Sequence, residues 1–557
     1  MMQYPYDLGA YSWPVTTASP QAQLWFDRGM SWTYGFNHEE AVVCFRKALE
    51  NDATCAIAHW GIAYASGPNY NMTWDNFDDV SRATALNVGY TAVQAALGCL
   101  DGATQVERAL TMALVHRFPQ ADLAPIDQME RWNDAFADAM RAVFQAHPDT
   151  LEVRCIYVEA MMNRTPWRMW DLARAEPAKG ADTQECEAAL EEAFASDPAA
   201  WRHPGLLHLH VHLMEMSPYP ERALRTGDAL RTIGPDLGHL VHMPTHIDVL
   251  CGAYRDVVHW NQQAVIADQK YLHAEGAYNI YTGYRLHNYH FVIYGAMFLG
   301  QLEPALQANQ GILDTPQDML RIESPPMADY FESFFSFKPK ILVRFGLWDE
   351  AAELDLPEDP KLYCSLTAFT RYARGVAHAA LGRVDMALEE EAHFLAACEH
   401  VPASRLLHNN RVVDLLQVGA AMLRGEILYR QGAHDAAFDA LRHAVHLEDT
   451  LPYDEPWGWM QPVRHALGAL LLEQGHVIEA EAVFREDLGL GGQLSRATVH
   501  PDNVWALRGL HDCLEARGEN TERTAVRQRL DMALARADHR VAAACFCAQS
   551  AMRCCET

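Results

Sequence analysis

Apolar side chains recur at spacings of three and four residues along nearly the whole chain. This is the pattern of amphipathic α-helices that bury one face. Gly and Pro separate the apolar segments, and the alternating, β-branched runs that mark strands are almost absent. We therefore predict an all-α fold. Because no Ser/Gly-rich linker interrupts the pattern, we expect one continuous helical array over residues 1–540, followed by a Cys-rich tail at 541–557.

Small residues return at fixed offsets in several of these helical segments. Gly29, Ala41 and Ala48 mark the offsets in the segment DRGMSWTYGFNHEEAVVCFRKALEND, and similar offsets occur around Gly375 and Gly468. A small residue lets two helices approach closely, and Gly is a common end point of a helix. The clear copies of this pattern are residues 22–55, 371–398, 420–449 and 461–487, with partial copies at 342–355 and 505–535.

These segments resemble the tetratricopeptide repeat (TPR) family, whose 34-residue unit consists of a helix A, a turn and a helix B. The resemblance implies a right-handed α-solenoid of stacked helix-turn-helix hairpins. It also implies that certain positions of each helix A line a concave surface where ligands or partners bind. Each hairpin of such an array buries its apolar faces by stacking on its neighbours.

The composition and charge of the chain limit the kinds of molecule that it is expected to bind. The chain of 557 residues carries 44 Lys+Arg and 73 Asp+Glu, a formal net charge of −29. Surfaces that bind nucleic acid or anionic membranes need clustered Lys and Arg, so we expect neither partner. No run of eighteen apolar residues is present, and the start, MMQYPYDLGAYSWPV, lacks a signal-peptide pattern. Most of the 13 cysteines stand singly in helical segments, which favours a reducing, cytoplasmic location.

Histidine is concentrated in one part of the sequence, where 11 of the 27 histidines fall between residues 201 and 300. Two pairs, His208/His212 and His242/His246, have the i, i+4 spacing that places both rings on one helix face. Corresponding members of the two pairs are one 34-residue TPR period apart. They therefore occupy the same positions in two successive A helices, from which imidazoles can converge on one metal ion.

The same register extends the predicted site on both sides of these pairs. A third unit, with its turn at Gly300, follows after an insertion at 271–284 that we expect to be an extra turn and loop. Glu215 is expected to be an oxygen ligand or a general base, and Tyr294 a catalytic pocket residue. The predicted metal ligands are His208, His212, Glu215, His239, His242, His246, His287 and His290.

Three residues next to these ligands have alternative interpretations. His203, directly before Pro204, either caps the helix or supports the site. His210 falls off the common face and is expected to be a hydrogen-bonded core or surface residue. Pro244, between the members of the second pair, removes a backbone hydrogen bond at a cost of about 3 kcal/mol inside a helix. The pair geometry there depends on a kink, which could itself aim both rings at one point.

The segments HPGLLHLHVHLMEMS, GHLVHMPTHI and YRLHNYHF resemble those of a TPR family that carries this histidine pattern. WGIAYASGPNYN, at 60–71, fits the same resemblance, which extends from about residue 20 to past 510. It implies that the three histidine hairpins and the loop at 67–71 belong to one design. It implies no activity.

Many imidazoles and few carboxylates favour copper, iron or zinc over magnesium or calcium. The leading hypothesis is a metal-dependent oxidoreductase that activates dioxygen on a small organic substrate. The alternatives are a metal-dependent hydrolase or lyase, and a non-enzymatic TPR scaffold that binds a peptide or protein partner. Phosphate-binding Gly-rich loops, the G-x-S-x-G elbow and the H-E-x-x-H helix are all absent from the sequence.

Two further segments have open interpretations. YDEPWGWMQPVRH, at 453–465, either closes one end of the groove or is a loop packed by its tryptophans. The C-terminal segment, with Cys545, Cys547, Cys554 and Cys555, could bind metal, form a redox pair or be an unstructured reactive tail.

Overall fold

The computed structural model describes residues 4–548. Within that range the chain is almost entirely helical, and its strands form only two short antiparallel hairpins, β1–β2 (Trp170–Asp171, Glu176–Pro177) and β3–β4 (Leu406–Leu407, Asn410–Arg411). The predicted all-α fold is confirmed.

The helices of the first half of the chain are α1 (Pro20–Tyr34), α2 (His38–Asn51), α3 (Ala56–Ser66), α4 (Asp79–Gly98), α5 (Gln105–Leu114), α6 (Ile126–Ala146), α7 (Leu151–Met162), α8 (Thr183–Ser196), α9 (Pro204–Met214), α10 (Leu224–Leu230), α11 (Gly238–His242), α12 (Pro244–Leu250) and α13 (Tyr254–Glu275). The helices of the second half are α14 (Tyr281–Leu299), α15 (Leu302–Leu313), α16 (Met327–Phe331), α17 (Phe337–Arg344), α18 (Trp348–Ala352), α19 (Cys364–Ala380), α20 (Val384–Cys398), α21 (Val412–Arg430), α22 (His434–Asp449), α23 (Val463–Glu473), α24 (Val477–Asp487), α25 (Val504–Arg517) and α26 (Asn520–Leu534).

The chain divides into two compact units. Unit 1 comprises Met1–Ile247 and Gln263–Glu275, and unit 2 comprises Asp248–Gln262 and Gly276–Thr557.

Unit 1 begins with the first predicted hairpin. Helices α1 and α2 pack side by side at residues 20–51, which overlap the clear repeat copy at 22–55. A Cβ atom at Gly29 would stand 2.5 Å from the ring of Phe45, so only glycine lets these two helices come this close. The small residues that carried the repeat pattern therefore mark close helix contacts.

Unit 2 contains a run of consecutive hairpins, α17–α18, α19–α20, α21–α22, α23–α24 and α25–α26. The first helix of a hairpin also packs on the first helix of the next one, as α17 does on α19 and α19 on α21. Gly382 and Gly475 end a first helix with positive φ values of 74° and 82°, a conformation that glycine adopts readily. The predicted repeat copies from 342 onward are thus stacked helix-turn-helix hairpins.

The structure shows the form of two segments for which a loop was considered from the sequence. The insertion at 271–284 is mostly helical, because α13 runs to Glu275 and α14 starts at Tyr281, so the connecting loop is only 276–280. The segment at 453–465 is a loop up to α23, and Trp459 is buried in it against Tyr372 at a ring separation of 5.5 Å. The loop interpretation of that segment is confirmed.

The described part of the C-terminal segment is folded onto unit 2. Phe546 packs on Trp505 with ring centroids 5.8 Å apart, and Cys545 and Cys547 form a disulfide. Cys554 and Cys555 lie outside the described residues. No helix between residues 4 and 548 combines the length and the apolar character needed to cross a membrane.

Candidate metal site

Helix α9 and the helix pair α11–α12 carry the histidines of unit 1. Pro204 occupies the first turn of α9, where its missing N–H costs nothing. Pro244 ends the preceding helix, so that α11 stops at His242 and α12 begins at Pro244, with Met243 between them. The kink expected from the sequence is therefore a complete break between two short helices.

The two histidines with alternative interpretations have structural roles. The His203 side chain caps α9, and its Nδ1 accepts a hydrogen bond of 3.2 Å from the backbone N–H of Leu206. His210 Nδ1 lies 2.8 Å from Thr226 Oγ1, away from the other imidazoles of α9. Since the Thr226 hydroxyl donates to the Ala223 carbonyl, His210 donates to Thr226. The expectation that His210 is a hydrogen-bonded residue off the common face is confirmed.

Three imidazoles meet at the centre of the cluster. His208, His212 and His239 are buried, and each offers one nitrogen within 4.8 Å of the nitrogens of the other two. The ring centroids of His208 and His239 are 4.9 Å apart, although the residues come from different helices. Nitrogens bound to one ion at about 2.1 Å stand about 3.0–3.4 Å apart, so small side-chain rotations would complete a site.

The second pair lies next to this trio. His242 Nε2 and His246 Nε2 are 2.8 Å apart across the helix break, and the His239 and His242 rings stack at 6.0 Å. The break at Pro244 therefore aims both rings of the pair at one point. This contact is a hydrogen bond in which His246 Nε2 accepts, because His246 Nδ1 donates to Glu215, and an ion bound by both nitrogens would replace it.

Glu215 joins the two helices through the outer nitrogens of their histidines. Its Oε1 lies 3.0 Å from His212 Nδ1, and its Oε2 lies 2.8 Å from His246 Nδ1. Both Nδ1 atoms donate to this carboxylate, which directs the Nε2 lone pairs of both rings away from it. Carboxylates placed in this way behind histidine ligands fix the tautomer and raise the basicity of the ligands. The geometry favours this supporting position for Glu215 over direct ligation.

A backbone carbonyl group determines which ring nitrogen of His208 carries the proton. His208 Nδ1 donates to the carbonyl oxygen of Tyr34 at 2.7 Å. Its Nε2 is buried and has no hydrogen-bonding partner within residues 4–548. Burial, reinforced by the neighbouring imidazoles, lowers the pKa of His208 well below its usual value, and the pKa of His239 likewise. A neutral ring with an unused lone pair in the interior is the form that binds a metal ion.

Two aromatic side chains enclose the cluster. Phe36, which follows α1 with a φ of 54°, packs on His208 at 4.5 Å and on His239 at 5.5 Å. Tyr70, in the loop at 67–71, packs on His212 at 4.8 Å. The position of Tyr70 supports the expectation that this loop and the histidine hairpins belong to one design. Sequence reasoning missed Phe36, whose only signal is an aromatic residue in the Gly-Phe-Asn turn between two helices.

A second buried carboxyl group lies near the cluster. The Glu159 side chain accepts a hydrogen bond from Tyr64, and burial raises the pKa of Glu159 while Tyr64, Arg117 and His212 oppose that shift. Helix α7, which carries Glu159, packs on α9. Sequence reasoning did not select this residue, because helix packing rather than register brings its charge near His212.

The remaining predicted site residues belong to unit 2. His287 stacks on His408 at 4.5 Å, and His290 stacks on Phe337 at 4.6 Å. Tyr294 packs on Phe298 at 4.5 Å, and burial together with Asp487 and Glu448 raises its pKa well above its usual value. The structure thus brings together the five predicted histidines of unit 1. The part of the unit 2 residues in a metal site stays a prediction.

No protein-family model matches the sequence, and no curated protein matches it. Among solved structures, the chain is similar to the crystal structure of the APC/C hetero-tetramer Cut9-Hcn1, with 12% identity, a TM-score of 0.31, and coverage of 92% of this chain and 76% of that one. It is also similar to the structure of Naa15/Naa10 bound to HypK-THB, with 12% identity, a TM-score of 0.23, and coverage of 92% and 70%. Scores this low carry no argument, and the description of the fold rests on the helical hairpins themselves.

Proposed function

We propose that unit 1 binds a transition-metal ion (copper, iron or zinc) through the Nε2 atoms of its clustered histidines. The observation that supports this most strongly is the arrangement of hydrogen bonds around the rings. The Tyr34 carbonyl and the Glu215 carboxylate engage the Nδ1 atoms of His208, His212 and His246. The Nε2 atoms on the inner side are buried imidazole nitrogens, and nitrogen ligands of this kind suit copper, iron and zinc better than magnesium or calcium.

Elemental analysis of protein purified without chelator tests this proposal. We expect about one ion per chain or more, and the loss of most of it in His208→Ala, because a four-ligand site that lacks one imidazole binds weakly. His210→Ala is the matched control, since His210 lies on the same helix but is hydrogen-bonded to Thr226. Less than about a tenth of an ion per chain in the wild type, or full occupancy in His208→Ala, would contradict the proposal.

Within this proposal the metal serves one of two purposes. In the enzymatic version, a redox-active ion activates dioxygen on a small organic substrate, or zinc activates water for hydrolysis or elimination. In the second version, the ion joins the helices of a scaffold that binds a peptide or protein partner. The repeated hairpins favour the scaffold over the oxidoreductase, because such arrays present long surfaces to partners.

Chelation separates these two purposes. If the ion only joins helices, its removal lowers the melting temperature strongly and the holoprotein has no exchangeable coordination position. If the ion is catalytic, the holoprotein binds small exogenous ligands such as azide or cyanide, with a change in the electronic spectrum of a copper or iron form.

A further inference from the structure

Unit 2 contains a buried arginine, Arg344, whose terminal nitrogens have no hydrogen-bonding partner among the described residues. Arg344, at the end of α17, is 3% exposed, and both of its terminal nitrogens are buried without a hydrogen-bonding partner. No other arginine between residues 4 and 548 has both terminal nitrogens in this state. The guanidinium carbon stands 3.7 Å above the ring of Trp505, so the flat face of the group is stacked on an indole. Stacking leaves the in-plane N–H donors available.

Asp487, the acidic group whose charge acts on Arg344, does not supply the missing hydrogen-bonding partner. Asp487 acts on Arg344 through its charge but forms no ion pair with it. Its Oδ2 is bonded to His465 Nε2 at 2.9 Å and to Asn503 Nδ2 at 2.9 Å, and its Oδ1 to His500 Nδ1 at 2.8 Å. These three donors hold the Asp487 carboxylate in place.

A second carboxyl group in the same region is uncharged. Burial raises the pKa of Glu448 to about 8, so this group is mostly protonated at neutral pH. Glu448 Oε2 accepts from the backbone N–H of Val463 at 3.0 Å, which ties it to the start of α23. The one carboxylate whose charge acts on Arg344 is therefore Asp487, and its oxygens are already occupied by other donors.

An arginine cannot resolve this situation by losing its proton, because its intrinsic pKa lies above about 12. Burial lowers the pKa of Arg344, but a buried guanidinium whose terminal N–H donors have no acceptor still destabilises the fold unless a partner arrives. The planar fork of a guanidinium matches two oxygens of a carboxylate or a phosphate. His465 Nδ1, also buried and without a partner, is a further polar atom close to this charge.

We infer that Arg344 is the centre of a binding site for a small oxyanion, a carboxylate or a phosphate group, in unit 2. The anion accepts hydrogen bonds from both terminal nitrogens of Arg344, while Trp505 supports the face of the guanidinium. All residues of this site belong to unit 2, and none of them is a predicted metal ligand.

Thermal denaturation and calorimetric titration test the inference. The probes are sodium acetate and inorganic phosphate, each compared with sodium chloride at the same ionic strength. We expect at least one of the two oxyanions to raise the melting temperature of the wild type with dose, by roughly 2 °C or more near saturation. The probe that acts tells whether the site prefers a carboxylate or a phosphate.

Two variants of the same residue make the test specific. Arg344→Met keeps the length of the side chain and removes the charge, so we expect no oxyanion response and an unliganded melting temperature equal to or above that of the wild type. Arg344→Lys keeps the charge but loses the fork, and should bind the anion at least about tenfold more weakly. The lysine variant provides the answer if the methionine variant does not fold.

Arg464→Met is the matched control. Arg464 already has a carboxylate partner, with bonds of 2.6 and 2.7 Å to Asp449, so its replacement should lower stability and leave the oxyanion response intact. The inference is wrong if neither probe shifts the wild type beyond chloride. It is also wrong if an Arg344 variant responds as the wild type does.

Discussion

Two buried carboxylates of this protein each bridge two histidines, and the surroundings of the bridges differ. In unit 1, Glu215 holds His212 and His246, whose other nitrogens face further imidazoles. In unit 2, Asp487 holds His465 and His500, with an asparagine amide and the Phe298 ring around them. A bridge between a carboxylate and two histidines therefore does not by itself indicate a metal site. The indication is that the inner nitrogens of several rings converge.

The charge state of Asp487 fits a structural role. Although burial alone would raise its pKa, His465 and His500 hold the pKa of Asp487 well below its usual range. The carboxylate therefore stays ionised and fully hydrogen-bonded at neutral pH. We interpret Asp487 and its three hydrogen-bond donors as a polar network that holds the end of α24 against the residues around it.

The largest expected difference is in metal content. His212→Ala should reduce bound metal from about one ion per chain to below about 0.2, because it removes an inner nitrogen and one arm of the Glu215 bridge. His465→Ala removes the equivalent arm of the Asp487 bridge and should leave metal content unchanged. Elemental analysis of both variants, purified side by side, makes the comparison. Equal losses in the two variants would remove the distinction between the bridges.

The next largest effect concerns stability. Asp487→Ala should lower the free energy of unfolding of metal-free protein by about 3–5 kcal/mol. The reason is that it removes the acceptor of three buried hydrogen-bond donors beside a buried arginine. Metal content should stay at the wild-type level in the fraction that folds. Denaturant unfolding measured on the metal-free form checks the first statement, and a loss under about 1 kcal/mol would show that Asp487 is not a structural bridge.

A smaller effect is expected from acidification. Burial, opposed by Asp487, lowers the pKa of His465 from 6.5 to about 4 in the folded protein. Between pH 6.5 and 4, the unfolded chain binds a proton at His465 that the folded chain does not. The stability contributed by His465 is therefore complete above pH 6.5 and falls by about 3 kcal/mol as the pH drops to 4.

His465→Gln isolates this titration. The glutamine amide can still donate to Asp487 but does not titrate, so the slope of unfolding free energy against pH should decrease by close to one proton between pH 6.5 and 4. Urea unfolding at several pH values, with metal removed from both proteins, measures that slope. An identical slope in the variant and the wild type would place the acid sensitivity elsewhere.

The smallest effect is expected from replacing Glu215, which acts on metal affinity through its hydrogen bonds to His212 and His246. Glu215→Gln keeps the shape of the side chain but can no longer accept from both His212 and His246, so metal affinity should fall by about 10–100-fold. Asp487→Asn, the matched change in unit 2, should leave metal affinity unaltered. Competition with a chromophoric chelator measures both. A loss of binding as complete as that of His212→Ala would instead indicate that Glu215 is itself a ligand.

Sequence reasoning succeeded where structure is local or periodic. The helical hairpins and their turn glycines follow from short-range spacing, and the pairs His208/His212 and His242/His246 follow from helix geometry combined with the 34-residue period. These features are encoded within a few turns of helix. The break at Pro244 was expected only as a kink, because local rules do not decide whether neighbouring helices absorb the lost hydrogen bond.

The parts that sequence reasoning did not provide depend on tertiary packing. Phe36 and the Tyr34 carbonyl reach His208 from a helix more than 170 residues away in the chain. Glu215 was expected to be an oxygen ligand or a general base from its place in the register, and its two distances to Nδ1 atoms favour the supporting position instead. Asp487 and His500 carried no periodic signal, since Asp487 is the last residue of a repeat copy and His500 lies in the loop that follows it.

X-ray absorption spectroscopy of the metal-loaded protein tests the central claim most directly. We predict a shell of nitrogen neighbours at about 2.0–2.1 Å, with the multiple scattering of at least three imidazoles and no sulfur. The signal should lose imidazole scattering in His212→Ala and be unchanged in His465→Ala. A shell dominated by sulfur or carboxylate oxygen, or one that changes only when His465 is replaced, would contradict the assignment of the metal to the histidines of unit 1.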